Sequence, residues 1–459
     1  MGVVVCASGE TIHLKNGRTI WADHVVKKGA RIEYEVGDDS YAISVSTVDH
    51  VDAGGSPPEH FLSDNAKHDI PVFSPADSFR SPFELTDKVV HGNSVDKDAL
   101  AQIEKQGKAD QTAAAYYVAG KYEFEHGNFS SARGHFESAV HADPENPAIL
   151  SYYAALLVRT GDAKIAVAYA EKGVRLAPNS PDALTVLGYA QFAADHNQDA
   201  IHSWKKSLAL RPDANVQQYL AKAEHEDKVE ANFSERESSH FTIRYEGRQT
   251  SNSFRSELIN TLESDYGDLA RDFGISPSSI PVVLYTDQAF FDVTQAASWT
   301  GAVNDGKLRI PVQGMDSVSP ELARVLKHEL SHSFINQLSV GRCPQWLNEG
   351  TAQAMEPKSL ASNGARLADL FQKEREIPFN ALEGSFMRFS GAEAILAYDE
   401  SLAAVQYIID TYGLSNVQRI LTMLGEGSST EVALRTSIHS DYQHLDYEVR
   451  QYLITRYGH

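Results

Sequence analysis

Three prolines, Pro144, Pro178 and Pro212, stand 34 residues apart; Ala132, Ala166 and Ala200 keep that interval, and Gly127, Gly161 and Asp195 keep it again. A period of this length marks a supersecondary unit stacked on copies of itself, since one short helix pair cannot bury its apolar face alone. Each unit reads as two antiparallel helices, with the alanine allowing a close crossing and the proline stopping the second helix. Four places after each alanine stand Phe136, Ala170 and Trp204. Residues 109–230 are therefore expected to hold three helix pairs and a capping helix over Asn215–Val229. Such a stack has a concave side, which either takes a protein or peptide partner or leaves the array a rigid spacer.

A second pattern carries chemistry. His328-Glu329-Leu330-Ser331-His332 lies inside an apolar-periodic stretch opened by Ser319-Pro320-Glu321, a hydroxyl cap followed by a first-turn proline. Leu322, Leu326, Leu330 and Phe334 form a core-facing stripe. His328 and His332, four apart, sit on another stripe where two imidazoles reach one ion. Zn²⁺ suits that spacing, and Glu329 stands beside the first ligand as a general base for a metal-activated water. Gly341 and Pro344 break the helix, and a second helix, Gln345–Glu356, brings Glu349 back as a third, anionic ligand. Gln353, one turn after Glu349, is a candidate to orient a ligating imidazole.

This stretch resembles the gluzincin metallopeptidases, and more closely the peptidase-MA-like domains that bacterial chains carry behind tetratricopeptide (TPR) repeats, which the 34-residue period resembles in turn. The resemblance rests on His328-Glu329-Leu330-Ser331-His332 and Trp346-Leu347-Asn348-Glu349-Gly350, with weaker echoes in Ser239–Tyr245 and Ala397–Ser401. It covers the chain from near Ser239 onward. The 17-residue step from His332 to Glu349 is slightly shorter than in the best-known gluzincins. The resemblance implies a multidomain protein: a small all-β N-terminal unit, an α-helical TPR superhelix and an α+β zincin-like metallopeptidase domain. It also implies hydrolysis of peptide bonds, with His328, His332 and Glu349 as metal ligands and Glu329 as base. In related enzymes a tyrosine hydroxyl from a downstream helix stabilises the oxyanion, and Tyr398 is the position that inherits this role. An edge strand beside the metal helix binds the substrate backbone in gluzincins, which points to Leu308–Val312. The alternative is a TPR scaffold whose zincin-like domain is proteolytically inactive; a zinc hydrolase acting on something other than peptides is a third reading.

The rest of the chain divides around these features. Residues 1–9 are either a frayed strand or the end of an export signal, since Val5-Cys6-Ala7 has the small residues of such an end without its basic start. The second option places the protein in the periplasm, the first leaves it cytoplasmic. Residues 10–52 read as a small β domain with a hairpin at Asn16-Gly17 and no visible chemistry. Residues 53–108, broken by Pro57, Pro58, Pro71, Pro75 and Pro82, read as a linker or extended segment, and 238–459 as the metallopeptidase-like domain. Net charge is −21, which argues against nucleic acid or an anionic membrane as a partner. No apolar run after residue 10 is long enough for a transmembrane span. Two cysteines, Cys6 and Cys343, give no disulfide framework, and Cys343 reads as a spacer between the metal-site helices.

Overall fold

A computed structural model describes residues 10–15, 19–22, 24–29, 31–36, 39–53, 87–91, 94–247, 250–277, 280–294, 302–312, 315–356, 358–361, 363–386, 389 and 391–458. Residues 1–9, the Asn16-Gly17 turn and the proline-rich stretch 54–86 lie outside them.

The N-terminal unit has six strands: β1 (Glu10–Leu14), β2 (Thr19–Ala22), β3 (His24–Lys28), β4 (Arg31–Val36), β5 (Asp39–Ser44) and β6 (Val48–Ala53). They form two antiparallel three-stranded sheets, ordered β2-β1-β6 and β3-β4-β5. The buried residues Ile12, Ala22, Ile32, Tyr34 and Val48 make a small core that Ala394 of the C-terminal domain completes.

The helical array begins earlier than 109. After the short hairpin β7 (Val90–His91) and β8 (Ser94–Val95), helix α1 (Lys97–Lys105) is capped by Asp96 and packs through Leu100 against Ala115, Val118 and Ala119. Residues 87–105 thus belong with the array, because Val89 and Leu100 are apolar and need cover. Helix pairs follow: α2 (Ala109–Glu125) with α3 (Phe129–Ala142), α4 (Pro147–Arg159) with α5 (Ala163–Leu176), and α6 (Pro181–Ala193) with α7 (Asn197–Leu210), closed by α8 (Ala214–Glu230). The period has a physical basis at each repeated position. Ala132, Ala166 and Ala200 are fully buried at the crossings. Gly127, Gly161 and Asp195 all take left-handed φ of 74°, 84° and 64° in the turn within each pair. Pro144, Pro178 and Pro212 follow the second helix of each pair.

The C-terminal domain is built on a five-stranded sheet ordered β12-β13-β11-β10-β9, from β9 (Ser234–Glu237), β10 (Phe241–Tyr245), β11 (Ile280–Tyr285), β12 (Val303–Asn304) and β13 (Leu308–Pro311). The central pairs β10–β11 and β11–β13 are parallel and the two outer pairs antiparallel. Leu308–Val312 is therefore not the edge strand expected: Val303 and Asn304 pair with Arg309 and Leu308, and β13 is buried along its length. Helices complete the domain: α9 (Asn252–Phe273), α10 (Asp287–Thr294), α11 (Pro320–Ser339), α12 (Gln345–Met355), α13 (Gly364–Gln372), α14 (Gly391–Tyr412), α15 (Leu414–Gly425), α16 (Thr430–Ile438) and α17 (Tyr442–Tyr457). No helix among the described residues is long and apolar enough to cross a membrane.

Strand alternation assigns the two sheet faces. Phe241, Ile243, Val282, Leu284, Leu308 and Ile310 join the main core with Leu326, Leu330 and Phe334 of α11. The other face presents Arg244, Tyr285, Lys307 and Arg309 to the last array helix, and there the charges are buried. Lys307 Nζ lies 2.8 Å from Glu226 and 2.5 Å from Asp195; Arg309 reaches Glu226 at 2.9 Å and Asp305 at 2.9 Å; Arg244 reaches Glu230 at 2.5 Å. Burial alone would raise the Glu226 carboxyl, yet Arg309 and Lys307 hold it down at about 2. Removing one member strands the others. Arg309→Met is expected to destabilise the chain by about 3–5 kcal/mol in chemical denaturation, the size associated with an uncompensated buried charge; a loss under 1 kcal/mol would show the network contributes little.

Candidate metal centre

Helix α11 starts where the sequence puts it, with Ser319 accepting from the Leu322 N–H and Pro320 in the first turn. It ends in left-handed Val340 and Gly341, and α12 returns across it after Pro344. His328 and His332 stand one turn apart with ring centroids 4.9 Å from each other and planes at 82°. Glu349 on α12 closes the group: its Oε2 is 3.4 Å from His328 Nε2 and 3.9 Å from His332 Nε2. Four-coordinate zinc with bonds near 2.0–2.1 Å sets its ligand atoms roughly 3.3–3.5 Å apart, so these separations suit three donors around one ion better than hydrogen bonds. Ligand atoms of His328, Glu329 and His332 also fall within 4.8 Å of one another.

The surroundings favour a cation. Burial works against a charged imidazole at His328, but Glu349 and Glu356 on its two ring nitrogens outweigh it and raise its pKa. Glu329 is 6% exposed, and its Oε2 makes no hydrogen bond among the described residues. Burial, reinforced by Glu349, pushes this carboxyl up to about 8. A buried acid with one oxygen unengaged, two imidazoles and a second carboxylate form a donor set that fits a borderline divalent ion.

The groups orienting the ligands differ from the sequence expectation. His332 Nδ1 lies 3.0 Å from Asn348 Oδ1, and His328 Nδ1 lies 3.3 Å from Glu356 Oε1. Arg324, one turn before His328, fixes Glu356 through a 2.7 Å bond. Glu349 Oε1 accepts from Gln345 Nε2 at 2.9 Å. Gln353 points elsewhere: its amide donates to the Tyr398 carbonyl at 3.0 Å on α14, because that face of α12 is turned to α14 rather than to α11. Asn348, next to Glu349 on α12, and Glu356, the residue that ends that helix, were the recoverable signal, but only the helix crossing decides which side chains meet the rings.

Tyr398 stands near the middle of α14, which runs from Gly391 to Tyr412. Its ring packs edge-on against Phe386 at 5.3 Å, and its carbonyl ties α14 to α12 through Gln353. Cys343 is a spacer: burial, then Glu349, push its thiol well above the ordinary value, the wrong direction for a nucleophile. Asn304 was not foreseen. From β12 its amide donates at 2.7 Å both to the Glu329 carbonyl and to Ser333 Oγ, fastening the edge strand to α11.

Gly350 sets the depth of Glu349. A Cβ there would lie 2.2 Å from the Ser401 carbonyl oxygen, a backbone atom of α14. Gly350→Ala is expected to cost about 1–3 kcal/mol in urea unfolding, whereas Gly134→Ala on α3, where nothing lies within 4 Å, should gain up to about 1 kcal/mol. Beside Ser401, the fully buried Glu400 accepts from the Ile377 N–H with both oxygens, at 3.1 and 3.2 Å. Burial raises its pKa from the ordinary 4.5 to about 9. Between those values the folded chain keeps a proton that the unfolded chain has released, so Glu400 makes stability fall as pH rises. Glu400→Gln should flatten the decline in unfolding free energy between pH 5 and pH 8; an unchanged pH slope would remove Glu400 as its source.

Residues 265–455 match the family model of the Peptidase MA superfamily. No curated protein matches the chain. The matched segment opens inside α9 and holds both α11 and α12, so this part of the protein is similar to that superfamily.

Proposed function

We propose that the C-terminal domain is a zinc-dependent metallopeptidase hydrolysing peptide bonds, and that the helical array is a set of TPR repeats that recruits a protein or peptide partner. The observation that carries the first part is the convergence of His328 Nε2, His332 Nε2 and Glu349 Oε2 beside Glu329. His328, His332 and Glu349 would hold the ion. When bound, zinc supplies an acidified water and a Lewis acid for the scissile carbonyl. Glu329 then works as general base and acid: its buried carboxylate takes the proton of the attacking water and delivers it to the leaving amine. Burial serves this role, because a carboxyl held near neutrality both accepts and releases a proton at working pH. Asn348 and Glu356 keep the two imidazoles aimed, and Gln345 keeps Glu349 from turning away. Tyr398 is the proposed hydrogen-bond donor to the developing oxyanion.

For the array, support comes from the 34-residue interval and the left-handed turns it reproduces. The array is joined to the sheet that carries the metal helix, so a partner held there stays close to the cleavage site.

The deciding experiment compares zinc content and peptide hydrolysis in wild type, Glu329→Gln and His332→Ala. Glu329→Gln is expected to retain all of its zinc and lose at least about 10²-fold in kcat, while His332→Ala loses one equivalent and all activity. Asn348→Ala and Glu356→Ala should each weaken zinc binding by about 10–100-fold. A Glu329→Gln chain as active as wild type would sink the mechanism. Zinc-loaded wild type that cleaves no member of a peptide library would leave a scaffold with a silent domain.

A further inference from the structure

We propose a second divalent-metal site, on the N-terminal β unit, formed by His13, His50 and Asp52. It stands independently of the peptidase reading. In the antiparallel β1–β6 pair, His13 is directly opposite His50, and Thr11 is opposite Asp52. Residues two apart on a strand share a face, so His50, Asp52 and the cross-strand His13 project to one side of the sheet. The side chains meet there. The two imidazoles stack with centroids 4.2 Å apart and planes at 6°. Asp52 Oδ2 lies 3.2 Å from His13 Nε2 and 3.6 Å from His50 Nε2, bracketing the ligand-to-ligand spacing expected around a four-coordinate ion.

The other ring nitrogen of His50 is also engaged. Its Nδ1 lies 2.9 Å from Asp49 Oδ2, an arrangement that orients a metal-ligating imidazole. The backbone explains how Asp49 reaches it. The register slips between His13 and Leu14, whose partner is Val48, so Asp49 is the extra residue of a bulge. In an unbroken strand neighbours 49 and 50 would point to opposite faces; the bulge turns the Asp49 carboxylate towards the His50 ring. Register, alternation and bulge together bring four groups from two strands to one place.

Two imidazoles and one carboxylate select a borderline ion such as Zn²⁺, Co²⁺, Ni²⁺ or Cu²⁺ over Ca²⁺ or Mg²⁺, which prefer all-oxygen cages. His13 is half-buried while His50 and Asp52 are exposed, so water completes the coordination. The ion would tie β1 to β6 in a unit whose described core is five buried side chains and one borrowed alanine, the situation in which small domains use a metal staple.

The test uses the full chain, stripped with a chelator, loaded with Zn²⁺ and freed of excess ion before elemental analysis. His13→Asn/His50→Asn is expected to lose one equivalent relative to wild type, and His332→Ala to keep that equivalent. Folding is checked by circular dichroism, and both histidines lie outside the core. In the His332→Ala background Zn²⁺ should raise the unfolding temperature by at least about 2 °C, and Co²⁺ should give a visible absorption band; both effects vanish when His13 and His50 are also replaced. Asp49→Asn should weaken this binding about tenfold without abolishing it, a response that a simple ion pair between Asp52 and the histidines would not give. Unchanged zinc content in the double variant, or no zinc in His332→Ala, overturns the proposal. A single equivalent that disappears with His13 and His50 but survives His332→Ala upholds it while removing the metal from the peptidase reading.

Discussion

The arrangement of this molecule depends on a block of charge buried between the array and the C-terminal sheet. Glu226 and Glu230 end α8, and Arg244, Lys307 and Arg309 line the facing strands; Glu226, Glu230, Lys307 and Arg309 are all under 5% exposed. Taking such groups out of water is costly, and only mutual pairing offsets it. Each cation here meets more than one carboxylate, and Tyr285 and Asn197 supply further hydrogen bonds. The geometry that satisfies them leaves little freedom in how α8 sits on the sheet. A hydrophobic contact of the same area would tolerate sliding; this one does not, because a shift of a few ångströms leaves a buried charge without its partner.

The same hairpin that enters the network also reaches the metal helix. Asp305 and Gly306, at φ 99°, form the turn between β12 and β13. On one side of it, Lys307 and Arg309 engage Glu226; on the other, Asn304 donates to Glu329's carbonyl and to Ser333. Asn304, Lys307 and Arg309 thus hold α8 and α11 together. A second link runs through Arg342, in the loop between the two metal-site helices, which donates to the His126 carbonyl at 3.4 Å and stands over the Phe129 ring at 5.4 Å. The placement of α11 and of the turn to α12 is therefore tied to the array through both contacts, so strain in the array has a structural route to His328, His332 and Glu349.

What the sequence made legible was local. A helix cap, a four-residue histidine spacing and a glycine-proline break are settled within one or two turns of chain, and α11 and α12 follow them. The 34-residue period was legible for the same reason: each repeated position answers to its own turn or crossing, even where Asp195 replaces glycine and still takes positive φ. What could not be read was set by packing between distant segments. Gln353 has the right spacing from Glu349, but the direction of α12 gives that face to α14. Pro311 looked like an edge-strand residue until Val303–Asn304, too short to carry a pattern, covered one side of its strand. Nothing local in the sequence says that Glu226, near the end of the array, meets Lys307 and Arg309, some eighty residues on. His13, His50 and Asp52 come together only through a register and a bulge.

Charge is used in two opposite ways a short distance apart. In the network the buried cations meet carboxylates: burial alone would raise Glu226, and Arg309 and Lys307 hold it down at about 2. At the candidate metal site Glu329 lies beside two histidines, and burial raises its carboxyl to about 8. Arg324 donates to Glu356, the group behind His328. An arginine in the place of Asn304 would have neutralised Glu329 and lowered its pKa, improving stability while removing both the attraction for a cation and the capacity to exchange a proton. The neutral amide holds the helix through its backbone and leaves the carboxylate's charge available. Rigidity comes from the matched network, and the hairpin carries it to the helix that holds His328, Glu329 and His332.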